Sequence, residues 1–184
     1  KKQPVEDFAQ LSGASRDTKY DSSTERLIAV IDRFCTFPAL ERMKFLDRLL
    51  CAYLTGNEDM HLKNWSLITR DDKVELSPAY DLNPVPEIDR AQTPKTAISE
   101  EHDEPSVMGA LDAASRFGLR GPEAKAILRE VLAAVLEWRK TARQLRISAG
   151  SMAAYASAFE HPLIEEAAQQ AEYVLVMESP LPGG

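Results

Sequence analysis

Hydrophobic and polar positions along the chain follow a helical repeat in most places and a strand-like pattern in one. VEDFAQLSG (residues 5–13) predicts a short amphipathic helix stopped by Gly13, with Glu6 and Asp7 as cap or surface charges, followed by a polar linker from Ala14 to Asp21. Ser22, with Glu25 three residues later, forms a capping-box pattern ahead of Leu27, Ile28, Ile31 and Phe34, which fall on one helical face. Pro38 suits the first turn of a second helix, whose apolar positions Leu40, Met43, Leu46, Leu50 and Tyr53 run on until Gly56.

After Asn64 the pattern changes. WSLI reads as a short strand, TRDDK as a turn and VELSP as a returning strand, a hairpin that needs a helical body behind it because two strands alone are marginal. Pro84 and Pro86 enforce an extended loop, TAIS (96–99) predicts one more short strand, and SEEHDE a solvated acidic loop. Beyond it the chain reads as helical again. PSVMGALDAASRFGL ends at Gly118, and Pro122 opens PEAKAILREVLAAVLEWRKTARQL, with apolar positions at 127, 128, 131, 135 and 138. Two further helices, about 149–160 and 162–177, complete a bundle over 105–177, and SPLPGG reads as a frayed end. The expected fold is mainly α with a small β-hairpin, without internal repeats.

With 184 residues, 44% hydrophobic and 28% charged, the chain fits one main globular unit. A net charge of -7 disfavours non-specific nucleic-acid binding, since phosphate backbones are held by excess Lys and Arg. Cys35 and Cys51 are too few for a disulfide framework or a four-thiol zinc site and are expected in the core. No apolar run approaches a membrane span, and KKQPVEDFAQ has no signal-peptide character, so a cytoplasmic location is expected. For the same reason the Asn64-Trp65-Ser66 glycosylation pattern carries little weight.

The candidate chemistry lies in NEDMHLKNWSLI (57–68) and LSPAYDL (76–82). Asp59 and Asn64 are five positions apart in a segment that is not wholly helical, and both side chains can face one cleft. Phosphoryl transfer needs a carboxylate to orient the attacking hydroxyl and accept its proton, and oxygen ligands for magnesium on the phosphates. Protein kinases supply an Asp, an Asn five residues later, and an Asp after a short hairpin. Asp59, Asn64 and Asp81 fall in that order, and the intervening residues 65–80 hold the expected hairpin. His61 and Lys63 alternate with Asp59 and can point at the same phosphates, while Tyr80 either packs near a nucleotide base or braces the loop.

These residues resemble the HipA-like serine/threonine kinases, toxins of bacterial toxin–antitoxin modules. Asp59, His61, Lys63, Asn64 and Ser66 are similar to that family's D-x-H-x-K-N-x-S catalytic loop, and Leu76, Pro78, Tyr80 and Asp81 to its L-x-P-x-Y-D metal segment. The resemblance extends upstream to EDFAQLSG and downstream through FGL and EVLAAVLEW, covering nearly the whole chain. It implies the helical C-terminal lobe of a protein-kinase-like fold over residues 1–184. By the same resemblance Asp59 is the catalytic base, Asn64 and Asp81 are magnesium ligands, and His61, Lys63, Asn64, Tyr80 and Asp81 form the ATP site. It implies transfer of the ATP γ-phosphate to a protein Ser or Thr, in some members an aminoacyl-tRNA synthetase or another translation component, and a DNA-binding antitoxin as partner. The family's N-terminal lobe, with its phosphate-binding loop, is expected in cis or in trans, because none of the eight glycines forms a phosphate-cradling loop after a strand. This chain alone is therefore expected to transfer phosphate poorly or not at all.

Blander readings compete. Trp65 and Trp138 fit the core, and His102 and His161 fit surface or cap positions. A metal-dependent phosphoesterase built on Asp59, His61 and Asp81 would act on a simple ester without nucleotide. A non-catalytic helical interaction module would bind neither magnesium nor ATP.

Overall fold

The computed structural model describes residues 2–13, 23–57, 60–82, 107–159 and 162–173, except the side chains of 154, 155, 157 and 158. Its elements are β1 (Val5–Asp7), α1 (Phe8–Ser12), α2 (Thr24–Phe34), α3 (Pro38–Leu54), a 3-10 turn (Leu62–Asn64), β2 (Ser66–Arg70), β3 (Lys73–Leu76), α4 (Val107–Arg116), α5 (Gly121–Leu136), α6 (Trp138–Gln144), α7 (Ala149–Phe159) and α8 (Pro162–Gln170). The mainly helical architecture with a small hairpin is as the periodicity indicates.

The hairpin forms because β2 and β3 flank two residues that accept left-handed backbone. Arg70 pairs with Lys73, leaving Asp71 and Asp72 as the loop, with φ of 46° and 59°. A two-residue loop with both φ values positive matches the right-handed twist of the strands, and aspartate tolerates that region better than most residues.

The sheet has a third strand, and it is not the expected one. Residues 5–7 pair antiparallel with β2, Val5 opposite Ile68, Glu6 opposite Leu67 and Asp7 opposite Ser66, giving the order β1-β2-β3. The expected helix over 5–13 is thus shorter, because cross-strand pairing outweighs helical propensity in its first three residues. Asp7 caps what remains: its carboxylate accepts the Gln10 amide at 2.8 Å, and the Gln10 side chain accepts the Asp7 amide at 3.1 Å. Gly13, at φ 68°, ends α1 as expected. TAIS and SEEHDE, like the 14–21 linker, His102 and His161, lie outside the described residues.

Four other expectations shift. Ser23, not Ser22, caps α2, its hydroxyl accepting the Arg26 amide at 3.4 Å, which puts Arg26 rather than Glu25 three residues after the cap. Leu40 and Met43 face solvent, while Glu41, Phe45, Leu49 and Ala52 join Leu46, Leu50 and Tyr53 on the buried side of α3. The helix expected from Pro122 to Leu145 breaks at Glu137 into α5 and α6, so Trp138 is half-buried against Phe159, with ring centroids 4.9 Å apart. Cys35 is buried, whereas Cys51 is only half-buried.

One contiguous core joins the sheet to α1–α5 and α8. Trp65 is its centre, fully buried, with the Phe45 ring 4.7 Å and the Phe8 ring 6.5 Å away. The outer edge of β3 is covered by the α2–α3 connection. Thr36 donates its amide to the Val74 carbonyl and accepts the Val74 amide on its hydroxyl, both at 2.9 Å, and the buried Glu41 carboxylate accepts the Leu76 amide at 2.8 Å. Among the described residues no helix is long and apolar enough to cross a membrane.

Candidate functional site

The loop leading to β2 is held by side chains that turn inward at every described position from 60 to 65 except Lys63. At the end of α3 Gly56 adopts φ 68°, and the Asn57 amide returns to the Ala52 carbonyl at 2.8 Å, stopping the helix. Met60, Leu62 and Trp65 are buried and anchor the segment, and the Trp65 indole donates to the Met60 carbonyl at 3.4 Å. Between the anchors, His61 precedes the 3-10 turn in extended backbone, and its carbonyl accepts the Asn64 amide at 2.8 Å. His61 and Asn64 are buried, Lys63 is exposed, and Asp59 lies outside the described residues.

β3 brings the second segment back to this loop. The Ser77 amide donates to the Ser66 carbonyl at 2.9 Å, and beyond Pro78 the Tyr80 phenol donates to the Lys63 carbonyl at 2.6 Å and lies 2.5 Å from the Ser66 hydroxyl. Of the two roles open for Tyr80, its hydroxyl takes the bracing one. The residue is still 39% exposed, so part of its ring faces solvent. Asp81 follows at φ 54° and is exposed. A left-handed aspartate is a mildly strained arrangement that persists where its surroundings hold it.

Two charged residues of α3 grip the same segment and are absent from the sequence-based set. Glu41 accepts the Leu76 amide and Arg48 donates to the Ser77 carbonyl. Their signal was their spacing: 41, 45, 48 and 52 form one helical stripe with Phe45 and Ala52, so two charges sit on a face that otherwise goes inward.

Burial pushes the Tyr80 phenol above its ordinary pKa, with Asp7 and Asp81 adding to the rise and the Ser66 hydrogen bond and Arg48 opposing it. The phenol therefore keeps its proton at neutral pH and remains a donor. Burial lowers the Arg48 pKa against the pull of Glu41, Asp47 and Tyr80, and raises that of Asp47, with Glu130 adding to that rise and Arg48 opposing it.

The carboxamide of Asn64 and the carboxylate of Asp81 are hard oxygen donors of the kind magnesium takes. Magnesium sites on nucleotides need only one or two protein ligands beside the phosphates, and these two residue types are of that kind. Among the described residues no three of His, Cys, Asp and Glu gather closely enough to hold a metal by themselves.

The model of the HipA-like C-terminal domain matches residues 1–139, which span α1 to α5 and both site segments. The chain belongs to that family. Two curated proteins of Sinorhizobium fredii are similar over shorter stretches: "Putative kinase Y4dM", 48% identical over 79 residues, and "Putative kinase Y4mE", 33% identical over 81 residues. Each match takes in 42% of this chain and 19% of the relative. Among solved structures, a chain from the Shewanella oneidensis MR-1 toxin–antitoxin complex of HipA, HipB and operator DNA superposes with a TM-score of 0.70 at 22% identity. That likeness covers 94% of this chain and 45% of the solved chain, and gives the HipA-like domain here the kinase-like HipA fold. The chain thus spans less than half the length of the proteins it matches.

Proposed function

We propose that the chain is the catalytic helical lobe of an ATP-dependent protein serine/threonine kinase, the toxin of a bacterial toxin–antitoxin pair, working with a second lobe that holds the nucleotide from the other side. The observation that carries this reading is the return of Tyr80 and Asp81 to the Lys63–Ser66 loop across the hairpin, fastened by the Tyr80 phenol at 2.6 Å from the Lys63 carbonyl. Family membership and the kinase names of the two Sinorhizobium relatives support it.

In this reading Asp59 orients the acceptor hydroxyl and takes its proton, and Asn64 and Asp81 hold magnesium. His61, Lys63 and Tyr80 line the nucleotide site, with Lys63 supplying positive charge from an exposed position. Magnesium held there would supply positive charge against the phosphates. The partners are a protein substrate in the cytoplasm, of the translation-component class, and a DNA-binding antitoxin; the fold shared with HipA from a complex with HipB and operator DNA supports the second.

Titration of magnesium and ATP into the purified chain by calorimetry, beside Asp81→Ala, tests the site. Magnesium-dependent binding that Asp81→Ala loses is the expected result. Equal binding by both proteins, or none by the native chain, overturns the assignment of Asp81.

A further inference from the structure

Ser66 sits between the two halves of the site, and none of the roles above falls to it. It opens β2, is 3% exposed, and accepts the Ser77 amide on its carbonyl at 2.9 Å. Its hydroxyl lies 2.5 Å from the Tyr80 phenol oxygen. The direction of the protons in this contact follows from the third partner. A carbonyl oxygen only accepts, so at 2.6 Å the Tyr80 phenol donates its single proton to the Lys63 carbonyl. The phenol oxygen has none left to give to Ser66, so the Ser66 hydroxyl donates to Tyr80. The order is Ser66 to Tyr80 to Lys63, a relay in which each bond polarises the next.

This relay ties the residue immediately before Asp81 to the residue immediately before Asn64. We propose that Ser66 is a positioning residue for magnesium and nucleotide binding: its hydroxyl holds the Tyr80 phenol on the Lys63 carbonyl, setting the separation between Asn64 and Asp81. Asp81 gains from such a hold because its left-handed backbone, φ 54°, is mildly strained. Arg48, donating to the Ser77 carbonyl, fixes the segment upstream of Pro78, and the relay fixes it at residue 80. Ser66 touches neither metal nor nucleotide in this scheme and acts through Tyr80. The inference rests on the assignment of Asp81 as a magnesium ligand.

The test uses the purified chain, with magnesium titrated at fixed ATP and nucleotide binding read by calorimetry, for the native protein, Ser66→Ala, Ser66→Thr and Tyr80→Phe. Thermal melting and metal-free ATP affinity are recorded for each. Removing one net hydrogen bond from the relay should raise the magnesium concentration for half-maximal binding about fivefold in Ser66→Ala. Tyr80→Phe, which breaks the same relay, should show a rise of similar size. Ser66→Thr keeps the hydroxyl and should stay within about twofold of native; if its added methyl lowers the melting temperature, the comparison of Ser66→Ala with Tyr80→Phe carries the test. A native magnesium requirement in Ser66→Ala overturns the proposal, as does an equal loss of affinity with and without magnesium, which marks a merely structural serine. Absence of magnesium-dependent binding in the native chain instead overturns the Asp81 assignment, and this proposal with it.

Discussion

Replacing Glu41 should weaken the fold in two distinguishable ways. The side chain is 3% exposed, and its two oxygens do different work: one accepts the Leu76 amide at 2.8 Å and the other meets the Lys44 ammonium at 2.8 Å. Lys44 is half exposed, so its ion pair is screened and contributes under about 0.5 kcal/mol. The amide bond matters more. Hydrogen bonds to a charged group contribute about 1.5–3 kcal/mol net, and stranding a buried N–H has a penalty of similar size. Glu41→Ala should therefore destabilise by about 3 kcal/mol. Glu41→Gln keeps an acceptor and the side-chain volume and should lose about 1 kcal/mol. For a chain of this size each kcal/mol shifts the melting temperature by about 2–4 °C. The two variants should then melt about 6–12 °C and about 2–4 °C below native by circular dichroism. Two results would refute the reasoning: Glu41→Ala melting with the native protein, or Glu41→Gln falling as far as Glu41→Ala.

Two further outcomes follow from local chemistry. Burial, with Glu41 adding, pushes the Cys35 thiol up to about 12 from 9.0, so the unfolded chain loses that proton first. Stability should therefore fall as pH rises from about 9 toward 12, by up to about 1.4 kcal/mol per pH unit. The buried Tyr53 phenol and the Cys51 thiol, both raised by burial, act in the same direction; urea unfolding against pH should show a shallower slope for Cys35→Ala, and an unchanged slope would count against the burial argument. At the hairpin turn, Asp72→Gly should stay within about 0.5 kcal/mol of native in urea unfolding, whereas Asp72→Val should cost about 1–2 kcal/mol because a β-branched residue resists φ near 59°. Equal stability of the two variants would show that the turn is not held in that conformation.

Much of this was legible in the sequence, for reasons that are local. The Pro at the head of α3, the Gly at the end of α1 and the apolar runs either side of Asp71-Asp72 are short-range signals, and α3, the end of α1 and the hairpin stand near their expected places. The two site segments were visible because their chemistry is concentrated in a few residues at fixed spacing, and the structure brings Lys63–Ser66 together with Ser77–Tyr80. What the sequence hid depends on distant partners. Residues 5–7 become a strand only because Leu67 and Ile68 lie beside them in space. Glu41 and Arg48 stand out only as charges on an inward stripe, and what they bind is not visible until Leu76 and Ser77 arrive to meet them. The break at Glu137 has no proline or glycine to announce it, and Trp138 there stacks on Phe159 of α7.

The strand order has a consequence for how the molecule assembles. β2 and β3 are joined by two residues and can zip together within microseconds, whereas β1 is separated from β2 in sequence by α2 and α3 and should join it later. The entropy of closing so long a loop grows only slowly with its length, so the delay does little to final stability but orders the events in time. Until Val5–Asp7 dock, one edge of β2, with Leu67 and Ile68 on it, stands open to any other extended chain. Docking of Val5–Asp7 is unimolecular and pairing with another chain is not, so dilution during refolding should favour the native edge.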